Sequence, residues 1–383
     1  MIGRINLLKR SFAAAFIFIG STIGAGFMSG QEIALFFGGQ SPWAGVAAGV
    51  VLGALCSLFL YLGNSDENPG CFFPRGIGNR GGFFKPLHNA AVFVSALSML
   101  ATMTAGAETA MRELFGIPLF GMVCLLTGII LVTFGLKQIA VLNLIFMPLI
   151  VVFIAILFFK SSVPPNLSGG INPLSPIAYG ALNVFLSGSV LTKIKLNKKE
   201  IRGAGIITAV ILSVVIFMLQ CVISSENLGG ASMPVLSAAA EYGLKALAGI
   251  LIFAAILTTL VSSLFLLVEM SEGFATNMRK MQSPQGNGIN GYREKNADGK
   301  RRPQAPTADA AAKYEEIGAA RRLFNRAVAG VSWGLIALPL SLINFTDLVA
   351  GTYPVISALG VIYTLYAIFR LMLPRLKLSR NAP

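Results

Sequence analysis

Residues able to do chemistry are few in this chain, and most lie inside apolar runs. The stretch FIFIGSTIGAGFMSGQEIALFFGG, residues 16–39, is hydrophobic enough to cross a bilayer, yet it carries Gly24, Ala25 and Gly26 at its centre and Glu32 beyond. Backbone polar groups in lipid must be paired, and a broken helix survives only where protein or a watery cavity shields it. Glycine permits such a break and leaves the backbone approachable. A break at Gly24–Gly26 would leave the N–H groups of Gly26, Phe27 and Met28 facing a cavity, a site suited to a carboxylate. The competing reading is a packing face, with Gly20, Gly24 and Gly26 letting a neighbouring helix come close. A second segment, LTTLVSS at 257–263, holds Thr258, Thr259, Ser262 and Ser263, two hydroxyl pairs four residues apart. They are either oxygen ligands for a small hard cation such as sodium or hydroxyls bonded back to their own turn. Glu32 and Glu108 are carboxylates within or near apolar spans, where a charge is costly and by default functional, as a gate, a proton carrier or an ammonium contact. Glu32 is expected toward the outer end, about 9 Å beyond Gly26 at 1.5 Å per residue.

Those residues need helices to hold them. The chain has 383 residues, 55% hydrophobic and 12% charged, with a mean hydropathy of +0.74. Half the charge of a soluble domain at this hydropathy places it among membrane proteins. Ten stretches are long and apolar enough to span: 11–38, 42–62, 88–110, 117–136, 139–159, 173–192, 203–223, 244–268, 324–343 and 347–369. With the N-terminus inside, 27 of the 30 Lys and Arg fall on cytoplasmic segments, and only Arg112, Lys160 and Lys245 on the other side. This asymmetry predicts cytoplasmic termini and accounts for the net charge of +14 without a nucleic-acid partner. Residues 281–320, rich in Pro, Gly, Asn and charge, read as a disordered cytoplasmic loop, whose Lys300-Arg301-Arg302 cluster could touch anionic lipid. Cys56, Cys124 and Cys221 read as small buried hydrophobes; neither they nor Cys71 show metal spacing. His88 opens the third span with no partner at metal spacing.

Ten spans divide into five plus five, residues 11–159 and 173–369, with the second half inverted. Span 6, PLSPIAYGALNVFLSGSVL, is then the counterpart of span 1, with Tyr179, Gly180 and Asn183 near its centre and Ser187-Gly188-Ser189 beyond. Interrupted segments at matching positions of two halves mark a transporter's substrate site. Hydrolase, nucleotide-binding and zinc-protease motifs are absent from the sequence, which argues against an enzyme, and no filter-like repeat argues for a channel. A non-transporting ligand-binding receptor on the same frame would carry the same residues.

The stretch STIGAGFMSGQEIALFFG, from Ser21 to Gly38, resembles the first span of the YkvI-like bacterial membrane proteins; AYGALN at 178–183 and LTTLVSS at 257–263 are similar to that family's sixth and eighth spans. The resemblance covers essentially all ten spans. It implies the amino acid–polyamine–organocation superfamily and an all-α fold of the LeuT type, a five-plus-five inverted repeat with spans 1 and 6 discontinuous. It further implies a multi-pass secondary transporter of the cytoplasmic membrane for an amino acid or similar small amine, coupled to Na⁺ or H⁺. Its substrate site would be Gly24, Ala25, Gly26, Phe27 and Met28 with Tyr179 and Asn183. Its sodium site would use carbonyls near Thr22–Ala25 and one hydroxyl pair of span 8, drawn from Thr258, Thr259, Ser262 and Ser263. Met28 is bulkier than the family pattern, and the 281–320 loop is longer than the fold needs.

Overall fold

The computed structural model describes residues 2–65, 84–134, 136–161, 167, 169–192, 194–225, 228–282, 293–295, 301–303 and 308–380. The first span is three helices: α1 (Ile2–Thr22), α2 (Ala25–Ser29) and α3 (Gln31–Phe37). Then come α4 (Trp43–Ser65), α5 (Phe84–Phe115), α6 (Phe120–Phe134) and α7 (Leu136–Lys160). The sixth span divides into α8 (Leu174–Leu182) and α9 (Val184–Leu191), followed by α10 (Lys198–Ser225), α11 (Pro234–Glu241), α12 (Lys245–Gln282), α13 (Ala308–Leu340) and α14 (Phe345–Arg380). Among the described residues six helices are long and apolar enough to cross a membrane, and two shorter apolar helices lie at 120–134 and 145–160. With the two divided segments they correspond one to one with the ten expected spans.

Burial separates the spans by role. Of the apolar stretch of α12, 83% is buried inside the protein, against 17% for that of α13. Helix α12 is therefore central, and α13 is peripheral with its apolar side chains left for lipid. Helix α12 packs along α5 and against α2, α10 lies along α4, and α14 crosses α8. The core lies where α1–α3, α8, α12 and α14 meet, and Phe18, Ile23, Phe27, Phe37, Tyr179 and Tyr353 are each fully buried in it. Cys56, Cys124 and Cys221 are buried free thiols, as expected for small hydrophobes.

The 281–320 segment departs from the expected disorder where it is described. Helix α12 continues to Gln282, strands β1 (Arg293–Lys295) and β2 (Arg301–Pro303) form a short antiparallel ladder, and α13 already begins at Ala308. The sequence ADAAAKYEEIGAA at 308–320 is dominated by strong helix formers, and a helix there continues directly into the ninth span. Lys300, Cys71, most of the 63–87 connection and the His88 side chain lie outside the described residues.

Candidate functional site at the breaks of spans 1 and 6

The first break falls at Ile23–Gly24, slightly before the expected centre. Gly24 is extended (φ −100°, ψ −165°) and caps α2 without a side-chain hydrogen bond. Its N–H donates to the Thr22 carbonyl at 3.0 Å, while the Ile23 carbonyl accepts no backbone bond among the described residues. Met28 N–H donates to the Gly24 carbonyl at 2.9 Å. Met28 therefore cannot offer its N–H to a ligand, contrary to expectation. Ala25, Gly26, Phe27 and Met28 are all buried.

A second break follows at Gly30, where φ is +87°. This left-handed turn ends α2 after five residues and starts α3 in a new direction. A Cβ at Gly30 would lie 2.9 Å from Pro234 Cβ and 3.0 Å from Ile223 Cδ1, so both conformation and space demand glycine. Outside the turn, Gln31 Nε2 donates to the carbonyls of Ala231 (2.5 Å) and Ser232 (2.8 Å) ahead of α11. Gln220 Nε2 donates to the carbonyls of Gln40 (3.1 Å) and Ser41 (3.2 Å) beyond the end of α3.

The turn at Gly30 changes where Glu32 sits. A straight helix would put it in an outer, hydrated vestibule; instead its side chain folds back over Gly26 and is 3% exposed. A Cβ on Gly26 would meet Glu32 Oε1 and lie 2.7 Å from its Cγ and 2.8 Å from its Cδ. Tyr179 OH, from α8, donates to Glu32 Oε2 at 3.3 Å, and the Tyr179 ring packs edge-on against Phe36 and Phe37. Tyr353 lies on α14, which packs against α3 and α8, and among the described residues its buried hydroxyl has no hydrogen-bond partner. No lysine, arginine or histidine pairs with Glu32 among the described residues.

Span 6 is interrupted at a single residue. Asn183 ends α8, its N–H donating to the Gly180 carbonyl (3.2 Å) and its Nδ2 to the Tyr179 carbonyl (3.2 Å). One turn on, Ser187 Oγ and Ser21 Oγ hydrogen-bond at 2.8 Å and join α9 to α1. The broken spans thus touch each other beside their breaks.

The span 8 hydroxyls divide by partner. Thr258, Ser262 and Ser263 donate to carbonyls three or four residues back, of Ala255, Thr258 and Thr259. Thr22 does the same to Phe18. Thr259 Oγ1 is buried without a partner among the described residues and faces the first break, where a Cβ on Gly24 would lie 2.6 Å from it. Ser263 follows one turn along the same face of α12. Glu108 belongs to a different structure. It accepts from Arg112 Nη2 (2.9 Å) and from the N–H groups of Leu119 (3.0 Å) and Gly121 (3.2 Å), holding the turn into α6. It also lines a cleft of about 490 Å³ with Arg112 and Asn344, and takes no part in the Glu32 cluster.

Sequence reasoning missed Tyr353 and the role of Gly30. Tyr353 is one of three tyrosines in the apolar tenth span, with Tyr363 and Tyr366, and so a weak signal; Gly30 was visible only as one more member of a small-residue run.

No family model matches the chain. It is 27% identical over 219 residues to "Uncharacterized membrane protein YkvI" of Bacillus subtilis (strain 168), a match covering 53% of this chain and 63% of that relative. The crystal structure of MhsT in complex with L-phenylalanine superposes with a TM-score of 0.58 at 15% identity, covering 91% of this chain and 86% of the other. A manganese transporter of Eremococcus coleocola, solved with an aromatic bis-isothiourea substituted compound, aligns with a TM-score of 0.49 at 16% identity, over 98% and 89% of the two chains. The chain is thus a multi-pass helical membrane protein with a LeuT-type fold, similar in sequence to YkvI.

Proposed function

We propose that the chain is a secondary active transporter that takes up an amino acid or similar small amine across the cytoplasmic membrane by alternating access, both termini being cytoplasmic. The observation that carries this reading is the extended backbone break at Ile23–Gly24 together with the interruption of span 6 at Asn183, where the dihedrals stay helical (φ −85°, ψ −3°). They lie in the protein core beside a buried carboxylate with no counter-cation, and a buried hydroxyl with no partner, among the described residues. A packing face would need neither a broken backbone nor unpaired polar groups at its centre. The likeness in fold to a structure that holds L-phenylalanine supports a small organic cargo.

Sodium is the coupling ion of this proposal. Its ligands would be the Ile23 carbonyl and the hydroxyls of Thr259 and Ser263; a hydroxyl that donates a hydrogen bond keeps lone pairs for a cation. The test is uptake and counterflow of labelled amines and amino acids in proteoliposomes, under a sodium gradient or a pH gradient. Uptake driven by sodium fits the proposal, and uptake that ignores sodium but follows pH moves the coupling to Glu32. A compound that binds without any counterflow makes the chain a receptor.

A further inference from the structure

Glu32 stands where a zwitterionic cargo would place its own carboxylate. The side of α2 that a substrate carboxylate would approach is the Gly26 face, and the Glu32 carboxylate already lies against it. A second carboxylate there would sit beside the first with no lysine, arginine or histidine paired with Glu32 among the described residues, and two like charges in one buried site disfavour each other strongly. A buried carboxylate is itself stable in its charged form only with a cation alongside. The remaining polar groups near it are oxygens. Tyr179 OH bonds to Glu32 Oε2 at 3.3 Å. Tyr353, on α14 where it packs against α3 and α8, is fully buried, and its hydroxyl has no partner among the described residues. Carboxylate and phenol oxygens are what a primary ammonium group, with three N–H donors and no acceptor, requires. The aromatic rings of Phe36, Phe37 and Tyr179 that pack together beside it suit the apolar body of such a molecule.

From this juxtaposition we infer that the cargo is a monoamine cation without a carboxylate, its ammonium held by Glu32 and Tyr353. Glu32 supplies the negative charge that an amino acid would carry itself. This rests on the reading of the span 1 and span 6 breaks as the cargo site, and it narrows that reading to one chemical class. The Thr259 side of the break stays separate, because Gly24 faces Thr259 whereas Gly26 faces Glu32.

Equilibrium binding and thermal-shift measurements on the full chain in detergent, with pairs differing only in the carboxylate, test the inference. Suitable pairs are 2-phenylethylamine with phenylalanine, and isobutylamine with valine. The amine of at least one pair should bind ten-fold or more tightly than its amino acid. Glu32→Gln should weaken that amine by fifty-fold or more, and Tyr353→Phe by about ten-fold. The Tyr353→Phe variant removes an unpartnered hydroxyl, so it stays informative even where Glu32→Gln does not fold. Amino acids binding more tightly than their amines, or no stabilisation by any of the four, overturns the inference. An unchanged amine affinity in Tyr353→Phe overturns the role of that residue. Tight amine binding without counterflow in proteoliposomes would uphold the ligand class while removing the transport reading, so the two failures are distinguishable.

Discussion

Replacing Gly30 by alanine tests the geometry on which the site depends. Gly30 has φ +87°, and an L-residue in the left-handed region costs about 1–2 kcal/mol relative to glycine. The new methyl would also lie 2.9 Å from Pro234 Cβ, 3.0 Å from Ile223 Cδ1 and 3.2 Å from Val235 Cγ2. Relaxed carbon contacts are about 3.5–4.0 Å, and overpacking of this kind costs about 1–3 kcal/mol. Gly30→Ala should therefore destabilise the protein by about 2–5 kcal/mol, summing those two costs. Gly39 is the internal control: its φ is +72° but a Cβ there meets nothing within 4 Å. Gly39→Ala should show the conformational cost alone, about 1–2 kcal/mol. Denaturant unfolding in mixed micelles, followed through the fluorescence of Trp43 and Trp333, gives both values. Because the Gly30 turn carries Glu32 back to Gly26, amine binding should fall in Gly30→Ala and persist in Gly39→Ala. Equal destabilisation of the two variants, with binding intact in both, would refute the reasoning.

Further outcomes follow from named contacts and from the charge asymmetry. Thr259→Ala should raise the sodium concentration for half-maximal uptake several-fold, Ser263→Ala less, and Thr258→Ala little, as read from uptake at saturating cargo. Glu200 closes a capping box at the start of α10, accepting from Asn197 N–H at 2.8 Å while Asn197 Oδ1 accepts from Glu200 N–H at 2.9 Å. Glu200→Ala should cost about 1–2 kcal/mol in the same unfolding assay. Its partner Arg10, at 3.1 Å but with a side chain 58% exposed, should contribute under about 1 kcal/mol when replaced by alanine. In a cysteine-free background, an impermeant thiol reagent applied to intact cells should label a cysteine at Ser232 and miss one at Lys199; the reverse pattern would invert the topology.

The sequence by itself determined the class of the molecule, because spanning a bilayer imposes length and hydropathy on each segment separately. The ten spans, the weakness at Gly24–Gly26 and the interruption near Asn183 were legible for that reason, since each is a local property of the chain. The helical start of α13 at Ala308 was also written locally, in the alanines of 308–320, but the charge and Pro content around it hid the signal. Only the tertiary structure decided where Glu32 lies. One dihedral, the positive φ of Gly30, turns α3 and brings a carboxylate expected about 9 Å away onto Gly26, and spacing along an ideal helix cannot anticipate a turn. The tertiary structure alone also brought α14, which carries Tyr353, against α3 and set Thr259 against Gly24. Those residues are separated by more than two hundred positions, and their meeting depends on how α12 and α14 pack against the broken span. Burial is likewise a tertiary result: among the described residues the Glu32 carboxylate has the Tyr179 hydroxyl and aromatic rings beside it and no basic side chain paired with it, an environment that spacing along the chain cannot reveal.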